Sequence, residues 1–208
     1  MPSQNEEEAK NNEEEEVEER DSTPISFILE DSVDDEINTI FFTGEVSEER
    51  ANHAIMNLVA CKKSAANKEE PEDITLYLNT EGGSAYEMFA IYDVMQDIKT
   101  SVDVSVIGIG KVMSAGVLLL AGGTPGKRKV GRHTRIMIHN VITGQTGAVH
   151  IVEHELKEVK RIQKMYIKCL AESTNLTEPA ITRLLRKNKN VYISAEEAVE
   201  YGIADEIL

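Results

Sequence analysis

The residues of this chain best suited to chemistry are one serine, one histidine and two glycine-rich turns. Ser114 closes the stretch Val104 to Gly116, VSVIGIGKVMSAG. Val104, Val106 and Ile107 have the β-branched character of a buried strand, and Gly108 and Gly110 allow backbone angles that other residues resist. Val117 to Ala121 (VLLLA) then reads as a core helix. A serine at such a strand-to-helix turn points its hydroxyl into a cleft, where the unpaired amides of the first helical turn bind negative charge. The same residue also suits a plain helix N-cap, and the stretch by itself leaves both roles open. Gly82-Gly83 ends an earlier strand, so Gly83 and Ala115 can each offer a backbone N–H at one edge of a parallel sheet. Two such donors form an oxyanion hole, each worth about 3 kcal/mol to the transition state. His139 ends the strand RIMIH and has the chemistry of a general base, although packing alone explains most strand-end histidines.

Other signals fail on spacing. Gly108-Ile109-Gly110 follows a strand, but the third glycine of GxGxxG would fall at Met113. Gly126-Lys127 has Ala121 where a phosphate loop needs its first glycine. His150 and His154 lie one helical turn apart without the HExxH pattern, and a solvated helix face explains them better than a metal site. No metal or cofactor is expected.

The elements that position these groups alternate. Strands are expected at Ile37 to Thr43, Ile74 to Leu78, Val104 onward, Lys127 to Val130, Arg135 to His139 and Val191 to Ile193. Ser47 opens a helix with Ala51, Ala54, Ile55, Leu58 and Val59 at helical spacing, and Lys62 to Glu72 is expected as a loop. Ala85, Met88, Phe89, Tyr92 and Met95 mark a second helix. Val149, Val152, Leu156, Val159, Ile162 and Tyr166 mark a long amphipathic one. Thr177-Glu178-Pro179 opens another, and Ser194 with Glu197 forms a capping box before a last helix closed by Gly202. Strand–helix alternation argues for right-handed βαβ crossovers and an α/β fold.

The chain has 208 residues and 41% apolar content, enough for one domain with a real core. Residues 1–24 carry −8 of the formal charge of −15 and almost no apolar side chain, so they are expected to form a disordered acidic tail ahead of a domain at 25–208. Neither charge nor pattern favours nucleic acid. Two cysteines make no disulfide framework, and no apolar run suggests a leader or a bilayer span. A cytoplasmic protein, bound to no membrane, is expected.

NTEGGSAYEMFAIYDVMQDIK, KVMSAGVLLLAGGTPGKR, RIMIH and ISAEEAVEYGIADEIL resemble successive blocks of the ClpP-like serine peptidase family, the proteolytic subunits of Clp proteases. The match runs from Ile37 to Leu208, with the family's spacing from Ser114 to His139 and about two extra positions between Thr100 and Gly110. The resemblance implies a crotonase/ClpP-like α/β fold of βαβ units with a protruding handle helix starting near Ala148. It also implies homo-oligomeric heptameric rings stacked into a tetradecamer around a chamber. By position it makes Ser114 the nucleophile, His139 the general base, and Gly83 and Ala115 the oxyanion donors. Val141 to Gly147, with Val141, Ile142, Thr143 and Gly144 foremost, becomes the strand that pairs with extended peptide substrate.

Three departures accompany the resemblance. Asn190 stands where the family has the triad aspartate, and no aspartate lies between Asp103 and Asp205. An Asn oxygen accepts the imidazole N–H but adds no charge, which implies a slow Ser-His-Asn enzyme. The acidic tail replaces the family's axial loop. Thr75, Asp97 and Lys129 replace aromatics of the pocket that docks a Clp-type ATPase, although Tyr77 and Leu208 fit it. A charge there opposes an apolar loop. A variant ATPase, a mixed ring with a second ClpP-like subunit, and independent action on small peptides all follow as candidate arrangements. Besides the endopeptidase, two alternatives stand. One is a catalytically impaired structural subunit of a mixed ring. The other is a crotonase-type acyl-CoA enzyme using the same amide pair, which the serine–histidine pair disfavours.

Overall fold

The parallel neighbours β1 (Thr39–Val46), β2 (Ile74–Gly83) and β3 (Val104–Met113) form the centre of a seven-stranded sheet. The computed structural model describes residues 38–66, 68–69, 71–144, 146–186 and 190–208. The predicted acidic tail therefore lies outside the described residues, which fall within one compact unit. Alternate side chains of β2 are buried, as a strand with one face against the helices requires. The crossovers are α1 (Glu48–Ala66) and α2 (Ala85–Ile98), the latter capped by Ser84, whose hydroxyl accepts the Glu87 N–H. Leu58, Leu76, Leu78, Met88, Ile91 and Met95 are fully buried where these helices meet the sheet. Each contributes about 1.5–3 kcal/mol of burial.

Three boundaries differ from those predicted. β1 continues through Gly44, which adopts φ 85° at an irregularity in the β1–β2 register rather than ending the strand. α1 continues through Lys62–Ala66, because Cys61 and Ala65 extend its buried stripe past the point where the sequence turns polar. β2 runs past its expected end at Leu78 to Gly83, so Asn79 to Gly83 belong to the strand.

β3 is where the site is organised. Its first half pairs with β4 (Arg128–Val130) and its second half with β5 (Arg135–Ile138), both parallel. The fork sits at Gly108-Ile109-Gly110, where Leu78 opposes Gly108 but Thr80 opposes Val112. The glycines expected as a turn are thus a bulge inside the strand, with Gly110 at φ 63°. β3 continues to Met113 and hands over directly to α3 (Ala115–Ala121), which is buried along its whole length.

The rest of the chain braces this fork. α4 (Val149–Ser173) packs on α3 and α5 (Glu178–Leu185). β6 (Val191–Ile193) pairs antiparallel with β5, and α6 (Ala195–Glu200) carries the predicted capping box. β7 (Glu206–Ile207), which the sequence pattern was too short to mark, pairs with β4. Arg128 ties these parts together, donating to Asp205, Ala121 O and Ser173 O. Along α4, Ile162, Tyr166 and Leu170 are buried, whereas Val149, Ile151 and Leu156 are exposed, so its first half projects an apolar face. Among the described residues, no helix is long and apolar enough to cross a membrane. The architecture is α/β with a mostly parallel sheet, as expected.

Candidate active site

Ser114 alone forms the turn between β3 and α3, and its backbone is strained. It adopts φ 53° and ψ −118°, and among the described residues it is the one non-glycine with positive φ. Such a conformation costs about 1–3 kcal/mol and persists only where its surroundings over-determine it. They do so here. The Ser114 N–H donates to Met137 O at 2.7 Å, and the buried Tyr166 hydroxyl donates to Ser114 O at 3.2 Å. The end of β2 presses on the turn. A Cβ on Gly82 would stand 2.6 Å from Ser114 Cβ and 2.8 Å from Met113 O, and one on Gly116 would collide with the Thr80 methyl. Although Ser114 occupies the N-cap position of α3, its side chain makes no capping hydrogen bond. The strained strand–turn–helix geometry that presents an exposed nucleophile is therefore present, and the hydroxyl is not spent on the helix.

β5 carries the histidine to the serine. Its parallel pairing with β3 sets Met137 beside Met113, and His139 follows at the strand's end. Gly83, Ser114, Ala115 and His139 line one cavity of about 370 Å³. Val141, Ile142 and Thr143 form one of its walls, while Met88, Ile162 and Tyr166 supply apolar surface. Burial pushes the His139 imidazole below the usual histidine range, partly offset by a backbone hydrogen bond with Asn140. The neutral, proton-accepting form is thereby favoured.

Two predicted residues lie outside the cavity. Gly144 is exposed and does not line it, and neither does Asn190, which is exposed just before β6. The β5–β6 ladder ends where Ile138 pairs with Val191, and one further rung in that register would put His139 opposite Asn190. Among the described residues, no hydrogen bond joins His139 to Ser114 or to Asn190. Residues 141–144, expected to form a strand, belong to no strand in the single chain. A strand needs a neighbour to pair with, and the chain offers none there.

The sequence reading missed two residues here. Gln163 on α4 accepts the Val141 N–H through Oε1 at 2.6 Å, and Tyr166 had counted only as part of the apolar face of α4. No local signal marks either, because both act through packing of a distant helix. His150 and His154 are exposed on α4, and among the described residues no group of three or more His, Cys, Asp or Glu could hold a metal.

A serine hydroxyl held out of its cap, a neutral imidazole in the same cavity, and the N–H groups of Gly83 and Ala115 at its edge fit nucleophilic acyl transfer. A family model described as Clp protease matches residues 28–208.

Proposed function

From the premise that this chain belongs to the Clp protease family, we propose that it is a serine endopeptidase that cleaves peptides or unfolded proteins within a ring assembly. The observation that carries this reading is the strained, uncapped Ser114 in a cavity shared with His139. Ser114 Oγ attacks the scissile carbonyl while His139 takes its proton. The tetrahedral oxyanion is held by the N–H groups of Gly83 and Ala115. His139 then protonates the leaving amine, and water, activated by the same imidazole, releases the acyl group and restores Ser114.

Asn190 orients the imidazole by accepting its N–H through the side-chain oxygen, a role supported by the extended β5–β6 register. It contributes no charge to the imidazolium, and in a serine protease this exchange costs about 10⁴-fold. Val141, Ile142, Thr143 and Gly144 pair with substrate backbone, a role suited to a segment that joins no strand among the described residues. Hydrolysis of an unstructured polypeptide tests the reading. Loss of cleavage in Ser114→Ala and in His139→Ala supports it, and cleavage at the wild-type rate in either contradicts it.

A second reading, an impaired structural subunit of a mixed ring, draws on the exposure of Asn190 and the missing hydrogen bond to His139. It predicts neither hydrolysis nor labelling of Ser114 by a serine-reactive fluorophosphonate. As for partners, Asp97 is paired with Lys62 at 2.6 Å and Lys129 with Glu206 at 3.0 Å, while Tyr77 stacks on Phe41. Paired charges at these positions favour a variant ATPase, a mixed ring or independent action over docking of a standard Clp ATPase.

A further inference from the structure

We propose that α4 carries two positioning residues for this reaction, Gln163 for His139 and Tyr166 for Ser114, which fix the backbone on which the Ser–His pair is mounted. The inference rests on the peptidase reading. The two residues are three apart, so they share one face of the helix. That face reaches the two halves of the Ser–His pair at once.

Gln163 acts on the chain just after His139. The Val141 N–H can only donate, so the Gln163 amide must present Oε1 to it, at 2.6 Å. Among the described residues its buried Nε2 has no partner. A buried amide usually satisfies both ends, and an unpaired donor calls for an explanation. Here the oxygen does the work. Asn140, between His139 and Val141, donates through Nδ2 to Leu185 O at 3.0 Å, at the end of α5. Two consecutive residues after the histidine are thus fastened to two helices. The imidazole itself has no carboxylate partner among the described residues, so these fastenings are what fix the path of the chain that carries it.

Tyr166 acts on the other half. Its hydroxyl donates to the carbonyl of Ser114, the residue held at φ 53°. On the opposite side Met137 O accepts the Ser114 N–H. Both peptide groups of the strained turn are therefore pinned, one by β5 and one by α4. The Val117 N–H also donates to Ser114 O, at 3.0 Å, so removing the Tyr166 hydroxyl leaves that carbonyl one of its two donors and loosens the peptide plane that follows the nucleophile, with the buried ring still in place.

The test uses the full chain and measures the rate of Ser114 labelling by a fluorophosphonate, with kcat and KM for a short peptide. Gln163→Leu and Tyr166→Phe should each slow labelling by about ten- to a hundredfold, as a small misplacement of reacting groups does. For Tyr166→Phe the loss should fall on kcat with KM unchanged. Gln163→Glu, which keeps an acceptor oxygen and removes the unpaired donor, should recover most of the rate. A merely structural bond would lower thermal stability without this rescue or this kcat–KM split. Wild-type labelling rates in both Gln163→Leu and Tyr166→Phe would overturn the inference and leave the peptidase reading intact. Should Gln163→Leu fail to fold, Tyr166→Phe decides alone. A wild-type protein that is not labelled at all overturns the peptidase reading, and this inference falls with it.

Discussion

On the proposed mechanism, Asn190 is the residue that limits turnover. One rung beyond the last pair of the β5–β6 ladder it would face His139, and on the proposed mechanism it holds the ring, but an amide cannot stabilise the imidazolium. Asn190→Asp should therefore raise kcat/KM, by up to about 10⁴-fold. The pH profile should move as well. Because burial lowers the His139 pKa, the neutral base persists below pH ~6.5 and the acid limb of kcat/KM lies under the ordinary histidine value. A carboxylate at 190 favours the charged ring, raises its pKa and shifts that limb to higher pH. Unchanged hydrolysis and an unshifted limb would remove Asn190 from the mechanism. Ser114 supports a second expectation. Its φ of 53° suits glycine, so Ser114→Gly should stabilise the fold by about 1 kcal/mol in denaturant unfolding, while Ser114→Ala, which keeps the strain, should not.

The junction of β2, β3 and α3 is the element that sets the site. Gly82 is buried at φ 93° with no room for a side chain, so Gly82→Ala should cost about 2–3 kcal/mol and abolish Ser114 labelling by displacing the turn. Wild-type labelling in that variant would show that the junction is not what holds the serine. Much of this junction was legible in the sequence: the strand types, the glycine pair, the serine before an apolar helix, and a histidine closing RIMIH. What could not be read there was the backbone path. GIG looks like a turn because glycine permits one, but its neighbours on β2, β4 and β5 recruit it as a fork in a strand. Whether Ser114 caps its helix or presents a hydroxyl was likewise undecidable locally. Gly82 and Tyr166, from distant segments, settle its conformation. Gln163 and Tyr166 were invisible as site residues because a helical stripe shows which side is buried and not which backbone group it meets.

For the whole molecule, the exposed apolar half of α4 is the feature a single chain does not satisfy. Val149 is 75% exposed and Ile142, beside the cavity, 77%. A ring assembly would cover such surface, so Leu156→Asp should reduce the mass observed under native conditions and lower hydrolysis with it. An unchanged particle mass would place the interface elsewhere. The same helix holds Gln163 and Tyr166, so an assembly built on it would be tied to the geometry of Ser114 and His139. The proposed activity rests on that pair performing acyl transfer. Its most direct test is to incubate the assembled full-length chain with a fluorophosphonate and map the adduct by mass spectrometry. The expected result is one adduct, on Ser114, that His139→Ala loses. No adduct on Ser114, or one formed equally fast without the His139 imidazole, would contradict it.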